Sequence, residues 1–267
     1  VTYLNTDSSG SIKLDELANS INKDTVLVSI MHVNNEIGII QDINTIGKII
    51  KEKSSRAKFH VDAIQSYGKL DIDVKRDNID LLSISGHKIH GPKGIGAAYI
   101  KKGLNPKPLI YGGGQERKLR SGTENLPAIA GFAVAADKKA KNLKENFHKV
   151  QEVKQYFIDK LKDIDDIRIN SKGAKFSPYI LSVSFKGVRG EVLLHALENE
   201  GIYVSTGSAC SSRLHERSHS LEAIGLTEEE MEGTIRFSFS EYNSKKEVDY
   251  VIEILKKSLN FLRRLRK

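Results

Sequence analysis

The sequence predicts an α/β chain in which a mostly parallel sheet domain leads into a smaller α+β domain. Three observations carry this. Between residues 23 and 101 short apolar runs alternate with amphipathic stretches, the pattern of βαβ units feeding a parallel sheet. A long Ala- and Lys-rich helical pattern then runs from 124 toward 162 as a connector, and beyond it strands and helices follow one another without that regular order. The division is placed at 140/141, giving a sheet domain over 1–140 and a smaller domain over 141–267.

In order, residues 1–4 read as a strand-like fragment, 25–32 as a buried strand, 43–52 as a helix and 58–61 as a second strand. Strands follow at 81–85 and 96–100, the four expected to belong to the mostly parallel sheet, and a glycine-rich segment at 111–122 interrupts the alternation. After the connector come a strand at 180–185, a helix at 191–200, a Ser/Gly-rich loop at 205–212, a strand at 235–239 and a closing helix at 246–264. A parallel domain opening on residues 1–4 has few strands for its helices, so the first part of the natural domain is expected to be absent.

Composition narrows the chemistry. A chain of 267 residues with 39% hydrophobic content can bury a core, and no apolar run is long enough to span a membrane, so a cytoplasmic protein is expected. The single cysteine, Cys210, excludes an internal disulfide, a Cys-x-x-Cys pair and a multi-thiolate zinc site within one chain. The net charge of +8 gathers in helix-like and terminal runs such as 138–149 and 256–267, which read as solvated faces; without interleaved aromatics they do not point to nucleic acid.

In a parallel sheet the loops after the strands' carboxyl ends gather at one edge, where ligands bind. The second strand is followed by Asp62 and Gln65, the third by Ser85, Gly86, His87 and Lys88. Two strands thus deliver a carboxylate and a lysine to one edge, the pair that pyridoxal 5'-phosphate (PLP) requires: an amine to bond its carbonyl and a carboxylate to keep its ring nitrogen protonated. Ser85 and His87 stand where they can hydrogen-bond a phosphate. Taken singly, an Asp at a strand end is more often a helix cap and a loop Lys a solvated charge.

Six strings in order make the pattern specific: Met31-His32-Val33-Asn34-Asn35-Glu36-Ile37-Gly38, His60-Val61-Asp62-Ala63-Ile64-Gln65-Ser66, residues 83–96 (SISGHKIHGPKGIG), Arg120-Ser121-Gly122-Thr123, residues 205–212 (STGSACSS) and Thr234-Ile235-Arg236-Phe237-Ser238. Together they resemble the cysteine desulfurases, class-V aminotransferase relatives of PLP fold-type I. The Cys210 string is similar to the first group of that family, of nitrogen-fixation and iron–sulfur-assembly type. No counterpart of the family's upstream phosphate-binding turn or ring-stacking histidine is found here.

The resemblance implies that Lys88 carries PLP, Asp62 pairs with the ring nitrogen, Gln65 bonds the phenolic oxygen, and Ser85 and His87 hold the phosphate. Thr123 would reach the phosphate of the neighbouring subunit of a homodimer. Asn35 would lie near the ring hydroxyl and substrate, and Arg236 would bind the substrate carboxylate, a role its planar fork of donors also suits on its own. Cys210, flanked by small residues that offer little packing, would be the thiolate that takes sulfur from L-cysteine, leaving L-alanine and a persulfide for a sulfur acceptor or iron–sulfur scaffold protein. The alternatives are a cofactor-free binding module, a selenocysteine lyase, or other PLP chemistry.

Two motifs are decoys. His215-Glu216-Arg217-Ser218-His219 matches a zinc-protease string, but Ser218 reads as the cap of a short helix over 219–224, which leaves His215 off the helical face. Residues 86–93 approach a phosphate-binding P-loop, yet Pro92 intrudes and no Ser or Thr follows Lys93.

Overall fold

The computed structural model describes residues 1–207 and 218–265. In chain order its elements are α1 (Leu14–Ser20), β1 (Leu27–Met31), α2 (Ile43–Lys53), β2 (Lys58–Asp62), β3 (Leu81–Ser85), β4 (Gly96–Ile100), α3 (Leu126–Lys141), α4 (Leu143–Leu161), β5 (Ile167–Ile169), β6 (Ile180–Phe185), α5 (Gly190–Glu198), β7 (Ser205–Thr206), α6 (His219–Ala223), α7 (Glu228–Glu232), β8 (Thr234–Ser238) and α8 (Lys245–Leu265). Residues 1–4 form no strand; the first pairing is a bridge between Thr6 and Ile12.

Two compact units emerge, one of Ile21–His32 and Asp42–Leu143, the other of Val1–Ser20, Val33–Gln41 and Lys144–Lys267. This differs from a single cut at 140/141. Residues 33–41 join the carboxy-terminal unit because Ile39 bridges Phe176, with Ser177 N–H donating to Gly38 C=O (2.7 Å) and Ile40 N–H to Lys175 C=O (2.9 Å).

The Ile21–His32 and Asp42–Leu143 unit holds a four-stranded sheet in the order β1-β2-β3-β4. β1 with β2 and β2 with β3 are parallel, and β4 runs antiparallel to β3, so the sheet is mostly parallel, as expected. Residues 86–95 are too few for the crossover that a parallel return requires, and Gly86 N–H closes the link on Ile95 C=O (2.9 Å). The near-P-loop glycines serve this tight link: a Cβ on Gly91 would stand 2.9 Å from Gly86 O. One sheet face is buried through Val28, Ile30, Phe59, Val61 and Leu82. α2 supplies Ile43, Ile46 and Ile50 at helical spacing, and its Asp42 cap accepts from Thr45 N–H (3.1 Å).

The other unit is built on the antiparallel sheet β5-β6-β8-β7. β6 is central and buried at every residue. Around it α4, α5 and α8 contribute Phe157, Leu161, Leu193, Leu197, Leu255 and Leu259, all at most 2% exposed. The expected single helical pattern from 124 toward 162 is two helices, α3 and α4, broken at Asn142, whose side chain donates back to Lys138 C=O (3.2 Å). The basic run is also less solvated than expected: Lys139 is 4% exposed, its stem lying against Gly68.

Candidate active site

Strand alternation puts Phe59 and Val61 in the core and turns His60 and Asp62 to the opposite face. Asp62 ends β2, and its Oδ1 accepts from Ile64 N–H (2.9 Å), which fixes the carboxylate at the strand end. Gln65 follows, half-buried, in a turn closed by Tyr67 N–H to Ala63 C=O (2.8 Å). One strand over, Asp62 is in register with Ser83, and β3 ends at Ser85.

From there Gly86–Ile89 makes a single 3-10 turn that carries His87 and Lys88. Ser85 Oγ and His87 Nδ1 are 2.8 Å apart, so hydroxyl and imidazole are held together ahead of the lysine. Lys88 is half-buried and pairs with no carboxylate among the described residues. Thr123 is exposed, between the strained segment at 116–118 and α3. Asp62, Gln65, Ser85, His87, Lys88 and Thr123 therefore all lie in one unit.

Asn35 and Arg236 lie in the other. Arg236 projects from β8, and its Nη1 donates to the backbone carbonyl of Asn35 (2.9 Å). Its Nε is buried with no hydrogen-bond partner among the described residues. A buried donor left unmatched costs about 1–3 kcal/mol, so this edge of the guanidinium suits an incoming anionic acceptor. The neighbours of Asn35 anchor the turn: Asn34 Oδ1 accepts from Glu36 N–H and Ile37 N–H (both 2.9 Å), and Asn34 Nδ2 donates to Ser220 Oγ (3.1 Å). The Glu36 carboxylate accepts from Ser218 Oγ, and Ser218 caps α6 by accepting from Leu221 N–H (3.2 Å).

Cys210 lies outside the described residues, as do His215, Glu216 and Arg217 of the zinc-protease string. Among the described residues no three His, Cys, Asp or Glu side chains gather as a metal site, and no helix is long and apolar enough to cross a membrane. Sequence reading missed the Asn35 carbonyl as a partner of Arg236, a contact across 201 positions that no local pattern marks. It also passed over His60, whose ring touches Ser29 and Ser83 and whose i, i+2 spacing to Asp62 was the available signal.

The family model described as aminotransferase class-V matches residues 1–251. The chain is 43% identical to cysteine desulfurase IscS of Methanosarcina thermophila over 265 residues, which is 99% of this chain and 65% of that protein. It thus spans about two thirds of the length of such a relative. Among solved structures it superposes on a NifS-like protein with a TM-score of 0.90 at 39% identity, covering 98% of this chain and 68% of that one. SspA in complex with cysteine gives a TM-score of 0.75 at 38% identity, over 91% and 67% of the two chains. These likenesses bear out the expected fold, a fold-type I α/β architecture with a mostly parallel sheet.

Proposed function

The chain belongs to the class-V aminotransferase family, and from that membership we propose that it takes part in PLP-dependent removal of sulfur from L-cysteine, with Cys210 as acceptor. The observation that carries the reading is the delivery of Asp62 and Lys88 from neighbouring parallel strands, with the Ser85–His87 pair just ahead of the lysine. Similarity to cysteine desulfurases along nearly the whole chain supports the same chemistry.

The residues present fit the cofactor. Asp62 has one oxygen committed to Ile64 and the other available for a protonated ring nitrogen. Lys88 has an amine engaged by no carboxylate among the described residues, and Ser85 with His87 offers donors for a phosphate. PLP, the cofactor of this family, supplies an electron sink when bound.

The chain's own side chains do the rest. Lys88 Nζ would hold the cofactor, and the same amine would take the substrate Cα proton and later return a proton. Arg236 binds the substrate carboxylate through its unmatched Nε edge, oriented by the Asn35 carbonyl. Cys210 as thiolate attacks the substrate sulfur: the S–S bond forms as the C–S bond breaks, and the departing carbon keeps the electron pair and is protonated. Cysteine plus enzyme thiol thereby become alanine plus enzyme persulfide, available to a sulfur acceptor such as an iron–sulfur scaffold protein. Gln65 would bond the phenolic oxygen and Asn35 would lie near substrate. Thr123 serves the phosphate of a partner in a homodimer, in the cytoplasm.

The test is the visible spectrum of the chain with added PLP, borohydride reduction, and mass mapping of the adduct. An adduct on Lys88, with alanine and a Cys210 persulfide formed from cysteine, is the expected result. Cys210→Ser should keep the adduct and lose the persulfide; absence of any Lys88 adduct overturns the reading for this chain. Arg236→Gln should raise the KM for cysteine roughly tenfold or more with the adduct unchanged.

A further inference from the structure

The polar face of the β1–β2–β3 sheet carries a bridge that the proposed chemistry does not use. His60 Nδ1 stands 2.8 Å from Ser29 Oγ on β1, and His60 Nε2 stands 2.9 Å from Ser83 Oγ on β3. The imidazole thus joins three parallel strands on the face that carries Asp62, one side-chain row before the strand end. Serine hydroxyls donate or accept, so the bridge tolerates both a neutral ring and an imidazolium.

The charges around the ring are few. On β2 its same-face neighbours are Lys58 and Asp62 at i−2 and i+2. β1 offers Leu27, Ser29 and Met31 on this face, and β3 offers Leu81, Ser83 and Ser85, none of them charged. His87 and Lys88 come only after Ser85, in the 3-10 turn. Asp62 is thus the one carboxylate beside the ring on its own strand face.

We propose that His60 is a positioning residue for Asp62: its serine–histidine–serine bridge pins the strand ends together, and its neutral ring leaves the Asp62 charge undivided for a cationic ring nitrogen. Partial burial favours that neutral ring and pulls its pKa down, while the Asp62 charge works in the opposite direction. Protonating His60 sets a second cation beside Asp62, so affinity for the protonated cofactor ring falls as pH drops through the His60 midpoint. This role rests on the PLP reading above.

Two measurements on the full chain separate the inference from that reading. In the cofactor-free chain, imidazole nitrogen shifts followed against pH should give His60 a midpoint below that of an ordinary histidine. Asp62→Asn should lower it further, by about half a pH unit for charges at i and i+2 on a partly wetted face. An unmoved midpoint means that the two groups are not coupled, and the proposal is overturned whatever PLP does. The second measurement is PLP affinity against pH. Wild type should lose affinity about threefold to tenfold across the His60 midpoint, whereas His60→Gln, which keeps amide bonds to both serines but cannot titrate, should not show that acid limb. His60→Leu should weaken PLP at every pH. An acid limb retained in His60→Gln overturns the proposal; failure of wild type to bind PLP at any pH overturns the functional reading, and the nitrogen titration still decides the coupling.

Discussion

In the unit containing residues 144–267, β6 is buried at all six positions, whereas β1 in the other unit alternates exposed and buried residues along its five. Both strands are short and apolar-rich, yet they meet opposite demands. β6 has neighbours on both sides, and its polar residues are consumed internally: Asn170 Nδ2 donates to Ser182 Oγ (3.2 Å) and Ser184 Oγ (3.0 Å), and Ser184 pairs with Thr234 (2.8 Å). In the β1–β2–β3 sheet one face is core and the other presents Ser29, His60, Asp62 and Ser83 to whatever occupies that side. A fully packed sheet supplies stability, and a half-open one leaves a face on which polar groups can meet a ligand.

The sharpest way to break this contrast is to empty one site in each sheet. Phe185, 0% exposed on β6 and edge-to-face with Phe237, should cost about 3–5 kcal/mol as Phe185→Ala. Leu27, 51% exposed on β1, should cost no more than about 0.5 kcal/mol as Leu27→Ala. Urea unfolding of both variants checks the pair. Equal losses would show that the β1 face is as closely packed as β6.

A second test uses a charge buried in the tightly packed unit. Lys154 on α4 is 6% exposed and its Nζ donates to Ser177 C=O (2.8 Å); burial pulls its pKa down to about 7. The unfolded chain releases that proton only near the ordinary lysine value. The penalty for the buried ammonium is therefore full below about pH 7, diminishes as pH rises, and is gone above the unfolded value. Lys154→Met should stabilise the protein by roughly 2–3 kcal/mol at pH 6, after losing the bond to Ser177, and the gain should vanish in strong alkali. Stability curves at several pH values decide it; a gain independent of pH would mean that packing, not charge, limits this site.

The sequence showed the two sheets unequally. Strands at 81–85, 96–100 and 180–185 were legible to the residue because turn residues bound short apolar runs. The antiparallel course of β4 was not, since it depends on a closing bond from Gly86 to Ile95, and β5 was too short to leave a pattern. The joining of residues 33–41 to the carboxy-terminal unit depends on long-range pairing with 175–177. Of the candidate site, Asp62, Ser85, His87 and Lys88 could be placed because strand ends define an edge, and their roles rest on resemblance. The hold of Asn35 on Arg236 and of Ser29 and Ser83 on His60 arises only when separate segments meet.

The smallest expected effect returns to the half-open unit, in the segment before Thr123. Glu116, Arg117 and Lys118 all take left-handed backbone angles, with φ of 47°, 56° and 67°. Each L-residue there costs about 1–2 kcal/mol relative to the right-handed region, a penalty glycine escapes, although glycine loses more freedom on folding. Arg117→Gly should therefore raise stability by no more than about 1 kcal/mol, or about 2–4 °C in Tm for a chain of this size. If strain at 117 is only the cost of a tight turn, PLP affinity should be unchanged in the stabilised variant. If Tm rises while affinity falls, the strained turn or the Arg117 side chain is needed to present Thr123, and backbone energy in this unit is held for binding rather than packing.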